Sequence, residues 1–235
     1  NAVDHSQKVE EKQIEVGSVI LCSGTETYDP SALEFYRYKI NPNVLTSIEF
    51  ERILSASGPT AGHLTRISDH KEPKKIAWLQ CIGSRDNNKC GNGYCSSVCC
   101  MYAVKEAVVA KEHAGGDLDC AIFYMDMRTN GKEFERFYNN AKDKHGVRVI
   151  NSRVHTIDKI PESDDLSIRY VCEDGEAITE IFDLVVLSVG LEISKETIEL
   201  AKRLGIELAE GNFCKTTSFE PVSSSREGVY VCGAF

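Results

Sequence analysis

The stretch Lys75-Ile-Ala-Trp-Leu-Gln80 is a short apolar run, typical of a strand that is buried on both faces of a parallel sheet. The pattern from Ser96 to His113 has helical spacing of apolar residues, and Cys120-Ala-Ile-Phe-Tyr-Met125 predicts the next strand. Lys132–Lys144 and Val147–Ile150 predict a second helix and a further strand. The order strand–helix–strand–helix–strand indicates a βαβαβ unit, the half-module of a doubly wound fold.

The flanking segments also carry strand patterns. Residues 154–160, 166–172 and 177–182 predict the short strands of an antiparallel β-meander, and residues 183–190 predict a further buried strand that ends on glycine. Residues 57–74, which contain two glycines and two prolines, predict a linker. The predicted fold class is therefore α/β: a Rossmann-like three-layer βαβαβ domain with an antiparallel β-meander.

Composition excludes several classes of function. The 235 residues carry a formal net charge of −9, which argues against nonspecific binding of nucleic acid. No run of about 18 apolar residues predicts a membrane span, and no secretory signal is visible, so we expect a cytoplasmic protein. Asn1-Ala2 lacks an initiator methionine, and the chain ends at Phe235 directly after a predicted strand. These ends predict an excised internal fragment of a longer protein.

Half of the ten cysteines fall between the first predicted strand and helix of the βαβαβ unit, at positions 81, 90, 95, 99 and 100. Clustered cysteines indicate a metal, an iron–sulfur cluster or a redox disulfide. In a dinucleotide-binding fold this position holds the phosphate, at a helix N-terminus. A helix N-terminus also stabilises thiolates, so a cluster can replace the phosphate here. We expect Cys22, Cys120, Cys172 and Cys232 to be core residues, and Cys214 to be a free thiol near a loop.

Three glycine turns carry a resemblance to a known superfamily. Leu21-Cys-Ser-Gly24, Leu187-Ser-Val-Gly190 and Gly228-Val-Tyr-Val-Cys-Gly-Ala234 resemble turns of the thioredoxin-reductase-like pyridine nucleotide–disulfide oxidoreductases. The resemblance implies that Gly24, Gly190 and Gly233 contact FAD. It also implies three regions: a partial FAD-type domain segment and linker (1–74), an NAD-domain-like unit (75–190) and a returning FAD-type segment (191–235).

The cysteine region resembles one family within this group. Cys81-Ile-Gly-Ser-Arg-Asp86, Gly93-Tyr-Cys-Ser-Ser-Val-Cys-Cys-Met-Tyr102 and Phe123-Tyr-Met-Asp-Met-Arg128 are similar to the A subunit of heterodisulfide reductase. That resemblance implies an electron-transfer module with FAD, bound largely by a part of the parent outside this chain, and a [4Fe–4S] cluster. It also implies other subunits of an electron-transfer complex and ferredoxin-like carriers as partners.

The family pattern implies Cys81, Cys95, Cys99 and Cys100 as cluster ligands. Cys95 and Cys99 share a face if the helix begins near Cys95, but two adjacent ligands are unusual on a regular helix. A rival set replaces Cys100 by Cys90. Structural Cys₄ zinc, a Cys90–Cys95 redox disulfide and simple burial of the thiols remain as alternatives.

Lys105 follows the last two cysteines by one to two helical turns. It is the predicted catalytic residue, facing the flavin and acting on it electrostatically. We expect Arg85, Asp86 and Arg128 to form ion pairs near the cysteines. The alternative to an oxidoreductase module is a noncatalytic scaffold that docks partner subunits, and in either case we expect this chain alone to be inactive.

Overall fold

The computed structural model describes residues 3–235, so Asn1-Ala2, which entered the prediction of a fragment, lie outside the described range. The β-strands are β1 (Val19–Leu21), β2 (Glu26–Thr27), β3 (Val44–Thr46), β4 (Lys75–Ile82), β5 (Asp119–Tyr124), β6 (Arg148–Asn151), β7 (Ile157–Lys159), β8 (Leu166–Val171), β9 (Ala177–Phe182), β10 (Leu184–Val189), β11 (Leu191–Glu192) and β12 (Val229–Val231). The α-helices are α1 (Ser47–Leu54), α2 (Cys99–His113), α3 (Phe134–Asp143) and α4 (Lys195–Leu204). Short 3₁₀ turns lie at Pro30–Ala32, Glu34–Tyr36 and Glu210–Asn212.

A five-stranded parallel sheet organises the larger part of the chain, in the order β3-β10-β4-β5-β6. Helix α2 connects β4 to β5, and α3 connects β5 to β6. The predicted βαβαβ unit is therefore confirmed. In the described range, no helix has both the length and the apolar character needed to cross a bilayer.

Strand β4 separates two apolar cores because successive side chains of a strand point to opposite faces. Ile76 and Trp78 pack in the core formed with α1 and α2. Ala77 and Leu79 pack in a second core on the other face, which includes residues of the antiparallel meander β7-β8-β9. Helices, parallel sheet and meander thus form the three predicted layers, and the continuous apolar run of β4 follows from its burial on both faces.

The compact unit that contains the sheet spans Glu26–Glu192, and so begins well before the boundary that the linker pattern predicts at residue 75. The cause is long-range pairing: β3 lies in the sheet beside β10. The predicted linker is also anchored, because Arg66 is buried and its Nη1 lies 2.7 Å from Asp165 Oδ1. Its second amino group donates to the Ser163 carbonyl at 2.8 Å.

Helix α1 begins with a capping box, in which Thr46 is the N-cap. The Thr46 hydroxyl accepts from Glu49 N, while Glu49 Oε2 accepts from Thr46 N at 2.8 Å. We predict that Thr46→Ala lowers the free energy of unfolding by about 1 kcal/mol, because one of the free N–H groups of the first turn loses its acceptor. Urea denaturation checks this, and Thr46→Ser, which keeps the hydroxyl, should retain most of the stability.

A second, smaller compact unit comprises the chain up to Thr25 together with Ile193–Phe235. Strands β1 and β12 pair in parallel, and α4 begins at the N-cap Ser194 and ends at Gly205, whose φ is 67°. Its core contains Leu21, Val231, Ala201, Ile206 and Phe235, among others.

The prediction that Cys22, Cys120, Cys172 and Cys232 are core residues is correct only for Cys120. Cys22 and Cys232 are exposed because the last paired positions of their strands are Leu21 and Val231. Cys172 is half-buried just beyond the end of β8, whereas Cys214, predicted near a loop, is buried.

Candidate functional site

The five clustered cysteines lie at the carboxyl end of β4, in the following loop and at the start of α2. Cys81 is the penultimate residue of β4, and Cys99 and Cys100 are the first two residues of α2. The helix therefore begins at Cys99 and not near Cys95, so the argument that Cys95 and Cys99 share a helical face is wrong. Two adjacent cysteines can both serve as ligands more easily at the start of a helix, where the first N–H groups have no intrahelical acceptor, than within a regular helix.

The loop is held in an uncommon backbone conformation. Cys81, Arg85 and Ser97 have positive φ values of 62°, 56° and 60°. Such residues cost about 1–3 kcal/mol each and cluster at functional sites. Gly83 is required here, because a Cβ on it would lie 2.1 Å from the ring of Tyr28. The strained segment is thus fixed by packing against its neighbours.

Four of the five thiols influence one another electrostatically. Burial raises the pKa of Cys99 to about 12, with further contributions from Cys100, Cys81 and Cys95. The pKa of Cys81 is also raised, by burial and then by Cys100 and Cys95 against the opposing effect of Arg85. Burial likewise raises the pKa of Cys100, and Cys95 adds to that shift. Cys81, Cys95, Cys99 and Cys100 therefore form one group.

Cys90 has different surroundings. Like Tyr28, it packs against the core on the meander side of the sheet. Burial, and then the neighbouring Cys90 thiol, raise the pKa of Tyr28. The surroundings of Cys90 therefore differ from those of the group of four, and the choice between the two ligand sets stays a prediction.

The donor set of the group is sulfur alone. Within residues 3–235, no three His, Cys, Asp or Glu side chains lie close enough together to hold a metal ion. Cys99 Sγ lies 3.5 Å from the Val189 carbonyl oxygen, and Cys100 Sγ lies 4.0 Å from that of Asp126. A four-thiol group at the N-terminus of a 15-residue helix fits an iron–sulfur cluster in chemistry and charge. To bind one cluster, the four thiol side chains would have to rotate toward a common point.

Ion pairs border the thiols, as predicted. Asp126 pairs with Arg85, and its Oδ2 lies 3.2 Å from Arg128 Nε. Burial acts to raise the pKa of Asp126, but the hydrogen bonds from the two guanidinium groups outweigh it and the pKa is lowered. Asp86 pairs with Arg153 at 2.6 Å. The guanidinium of Arg85 also acts to lower the pKa of Cys81, because it brings a fixed positive charge near that thiol.

The predicted FAD-contacting glycines occupy strand ends. Gly24 and Gly233, with φ of 70° and 78°, lie in the smaller unit beyond β1 and β12. Gly190 follows β10 in the larger unit, where its N–H donates to the Ile82 carbonyl at 2.8 Å. A Cβ on Gly190 would lie 2.9 Å from Ser96 Oγ, so the cysteine loop requires glycine at this position.

Lys105 lies on α2 and is about half exposed. Its Nζ donates to Glu51 Oε1 at 2.7 Å. It also lines an apolar cavity of about 510 Å³, together with Ser97, Val98, Met101, Tyr102, Asn130, Phe134 and Phe137. Val98 and Phe134 are unusually exposed for their type, at 40% and 45%. The cavity thus joins an exposed cation to an apolar surface beside the first turn of α2.

Two residues of this site were missed by sequence reasoning. Tyr102 donates from its hydroxyl to the Val189 carbonyl, and burial together with Cys99 raises its pKa. The spacing of three residues from Cys99 on a helix is the signal that relates the two side chains. Glu106 is buried, with 1% of its surface exposed, and accepts from Trp78 Nε1 at 2.9 Å. The only sign of this buried residue in the sequence is a carboxylate within the apolar pattern of the helix.

The parallel sheet with crossover helices α2 and α3 defines a Rossmann-like protein of the α/β class. The sequence profile of the family described as pyridine nucleotide-disulphide oxidoreductase matches residues 2–235. The chain belongs to this family, whose membership implies FAD binding and a flavin oxidoreductase role.

Curated relatives confirm the narrower resemblance. The chain is 42% identical over 237 residues to the A subunit of the H(2)/formate:CoB-CoM heterodisulfide,ferredoxin reductase of Methanococcus maripaludis, covering 99% of this chain and 35% of that protein. It is 39% identical to the iron-sulfur A subunit of the CoB--CoM heterodisulfide reductase of Methanocaldococcus jannaschii, covering 99% of this chain and 36% of that protein. The chain thus spans about a third of the length of these relatives.

A solved structure confirms the fold class. Thioredoxin reductase from Lactococcus lactis aligns with a TM-score of 0.53 at 15% identity, covering 92% of this chain and 57% of that one. At this identity the similarity concerns the fold alone.

Proposed function

We propose that this chain is an electron-transfer module of an FAD and iron–sulfur oxidoreductase. Cys81, Cys95, Cys99 and Cys100 would hold a [4Fe–4S] cluster that exchanges electrons with FAD. The observation that carries the proposal is the placement of the cysteines: Cys81 lies at the carboxyl end of β4 and Cys99 and Cys100 begin α2, while Cys90 packs against the core on the meander side. When bound, the cluster accepts and donates single electrons.

The protein supplies the environment of these thiols. The N-terminus of α2 and the guanidinium of Arg85 both favour thiolate over thiol, which acts against the larger effect of burial. The positive φ values of Cys81 and Ser97 fix the path of the loop from Cys81, near the end of β4, to Cys99 and Cys100, at the start of α2. These features support a loop backbone that is arranged before a cluster is inserted, whereas the thiol side chains would rotate to meet the cluster.

The apolar cavity beside α2 supports the proposal that the flat ring system of the flavin binds there. Its volume and its aromatic and aliphatic lining are those of a small-molecule site. Lys105 would place its positive charge at the edge of the ring and act electrostatically. Gly24, Gly190 and Gly233 would allow close approach of FAD to the backbone.

The relatives are named as subunits, and one name includes ferredoxin. We therefore propose that the protein works in the cytoplasm with other subunits of an electron-transfer complex and with ferredoxin-like carriers. By the same argument, the chain alone should not catalyse a complete reaction.

Anaerobic reconstitution with iron and sulfide tests the cluster. We expect a coloured protein with about four iron and four sulfide atoms per chain. A colourless protein that binds no iron but one zinc ion would contradict the proposal and favour the scaffold with a structural Cys₄ metal. Formation of a Cys90–Cys95 disulfide in place of cluster insertion would favour the redox-disulfide alternative.

A flavin titration of the full-length parent protein tests Lys105, because FAD is expected to be bound largely outside this chain. We predict that Lys105→Gln weakens FAD binding about fivefold, or about 1 kcal/mol, because a cation at the ring edge is lost. Flavin fluorescence measures the affinity, and iron content should not change. Lys144→Gln, at an exposed lysine just beyond α3, is the matched control. Equal affinity of the wild type and Lys105→Gln would place Lys105 away from the flavin.

A further inference from the structure

Two exposed cysteines outside the clustered group lie side by side in the smaller unit. The register of β1 and β12 pairs Leu21 with Val231, so Cys22 and Cys232 are the next neighbouring positions. Cys232 N donates to the Leu21 carbonyl at 3.0 Å, which holds the two strand ends together. The two Sγ atoms are 3.0 Å apart, and both residues are exposed.

We propose that Cys22 and Cys232 form a reversible dithiol–disulfide couple. Neighbouring strands lie about 4.7–4.9 Å apart, which falls within the Cα separation of about 4.4–6.8 Å that disulfides require. Closing the bond therefore needs side-chain rotation and little backbone movement. Exposed disulfides are the ones that exchange with external thiols and disulfides.

The oxidant is an external disulfide, either of a small molecule or of a protein. One cysteine, as thiolate, attacks it and releases one thiol, which gives a mixed disulfide. The other cysteine then attacks the mixed disulfide and releases the second thiol. The pair loses two electrons and two protons to form one S–S bond, while the external S–S bond breaks and yields two thiols. In the reverse sequence two external thiols reduce the disulfide, and the couple acts as the oxidant.

Formation of the bond would also join two distant parts of the sequence. Cys22 and Cys232 are 210 residues apart, and the smaller unit is assembled from two separate segments. A cross-link between them restricts the unfolded chain, so oxidation should stabilise this unit. The inference requires neither a cluster nor FAD, and its failure would leave the proposed function untouched.

Peptide mapping tests the couple. The full chain is equilibrated anaerobically with glutathione disulfide, alkylated and cleaved with trypsin without reduction. Cleavage after Lys12, Arg37 and Arg226 gives peptides 13–37 and 227–235, which contain Cys22 and Cys232 as their single cysteines. We expect these two peptides to be joined by a disulfide and to separate on reduction.

Two variants make the result specific. Cys22→Ser should abolish the joined peptide and leave Cys232 as a mixed disulfide or alkylated thiol. Cys172→Ser, at a half-buried cysteine in the other unit, should leave the joined peptide unchanged. Recovery of both wild-type peptides as separate glutathione adducts, as alkylated thiols or joined to other cysteines would overturn the proposal.

Discussion

We expect Cys81→Ser to abolish cluster insertion and Cys90→Ser to leave it intact. After anaerobic reconstitution, Cys90→Ser should bind about four iron atoms per chain, like the wild type, and Cys81→Ser should bind close to none. The reason is the placement of the two thiols: Cys81 is the penultimate residue of β4, in the group with Cys95, Cys99 and Cys100, whereas Cys90 packs against the core on the meander side of the sheet.

The same measurement on Cys100→Ser separates the two ligand sets. If Cys100 is a ligand, its loss should lower iron content as far as the loss of Cys81. Iron retained in Cys100→Ser but lost in Cys90→Ser would contradict the proposed set and establish the rival one. Cys120→Ser is a suitable control for the removal of a buried thiol, because Cys120 donates to the Ala107 carbonyl and does not belong to the group.

Local patterns were sufficient to predict the middle of the fold. Strand β4 and helix α2 have long apolar patterns that tertiary contacts reinforce, so both are evident from the sequence. The start of the larger unit at Glu26, which replaces the predicted boundary at residue 75, could not be predicted in the same way. Strand β3 has only three residues, and its place beside β10 depends on pairing across more than a hundred positions. The hydrogen bonds that Arg66 donates to Asp165 and to the Ser163 carbonyl cannot be predicted from a local pattern either.

The candidate site was predicted as a group of residues but not in its geometry. The cysteine spacing and the family resemblance identify the thiols, whereas the start of α2 does not follow from apolar spacing. Ser97 adopts a positive φ that the sequence does not require, and this delays the helix to Cys99. The exposed pair at Cys22 and Cys232 was likewise missed, since apolar neighbours in a strand pattern suggest burial and do not reveal where the strand ends.

Glu106 should make the stability of the protein depend on pH. Burial raises the pKa of this carboxyl from 4.5 to about 8, while the hydrogen bond from Trp78 Nε1 acts in the opposite direction. The folded state therefore binds the proton more tightly than the unfolded state between these two values. By linkage, the favourable contribution of this proton is complete below about pH 4.5 and is lost as the pH rises toward 8.

Glu106→Gln should remove this dependence, because glutamine stays neutral and keeps an oxygen to accept from Trp78. We predict that the variant differs little from the wild type at acidic pH and is more stable at alkaline pH by on the order of 2–4 kcal/mol. Urea denaturation of both proteins across this range, with all thiols reduced, measures the difference. Glu112→Gln, at an exposed position of the same helix, should show no such trend. A difference between Glu106→Gln and wild type that stays constant with pH would mean that Glu106 ionises normally in the folded protein, and that the Trp78 bond holds a carboxylate.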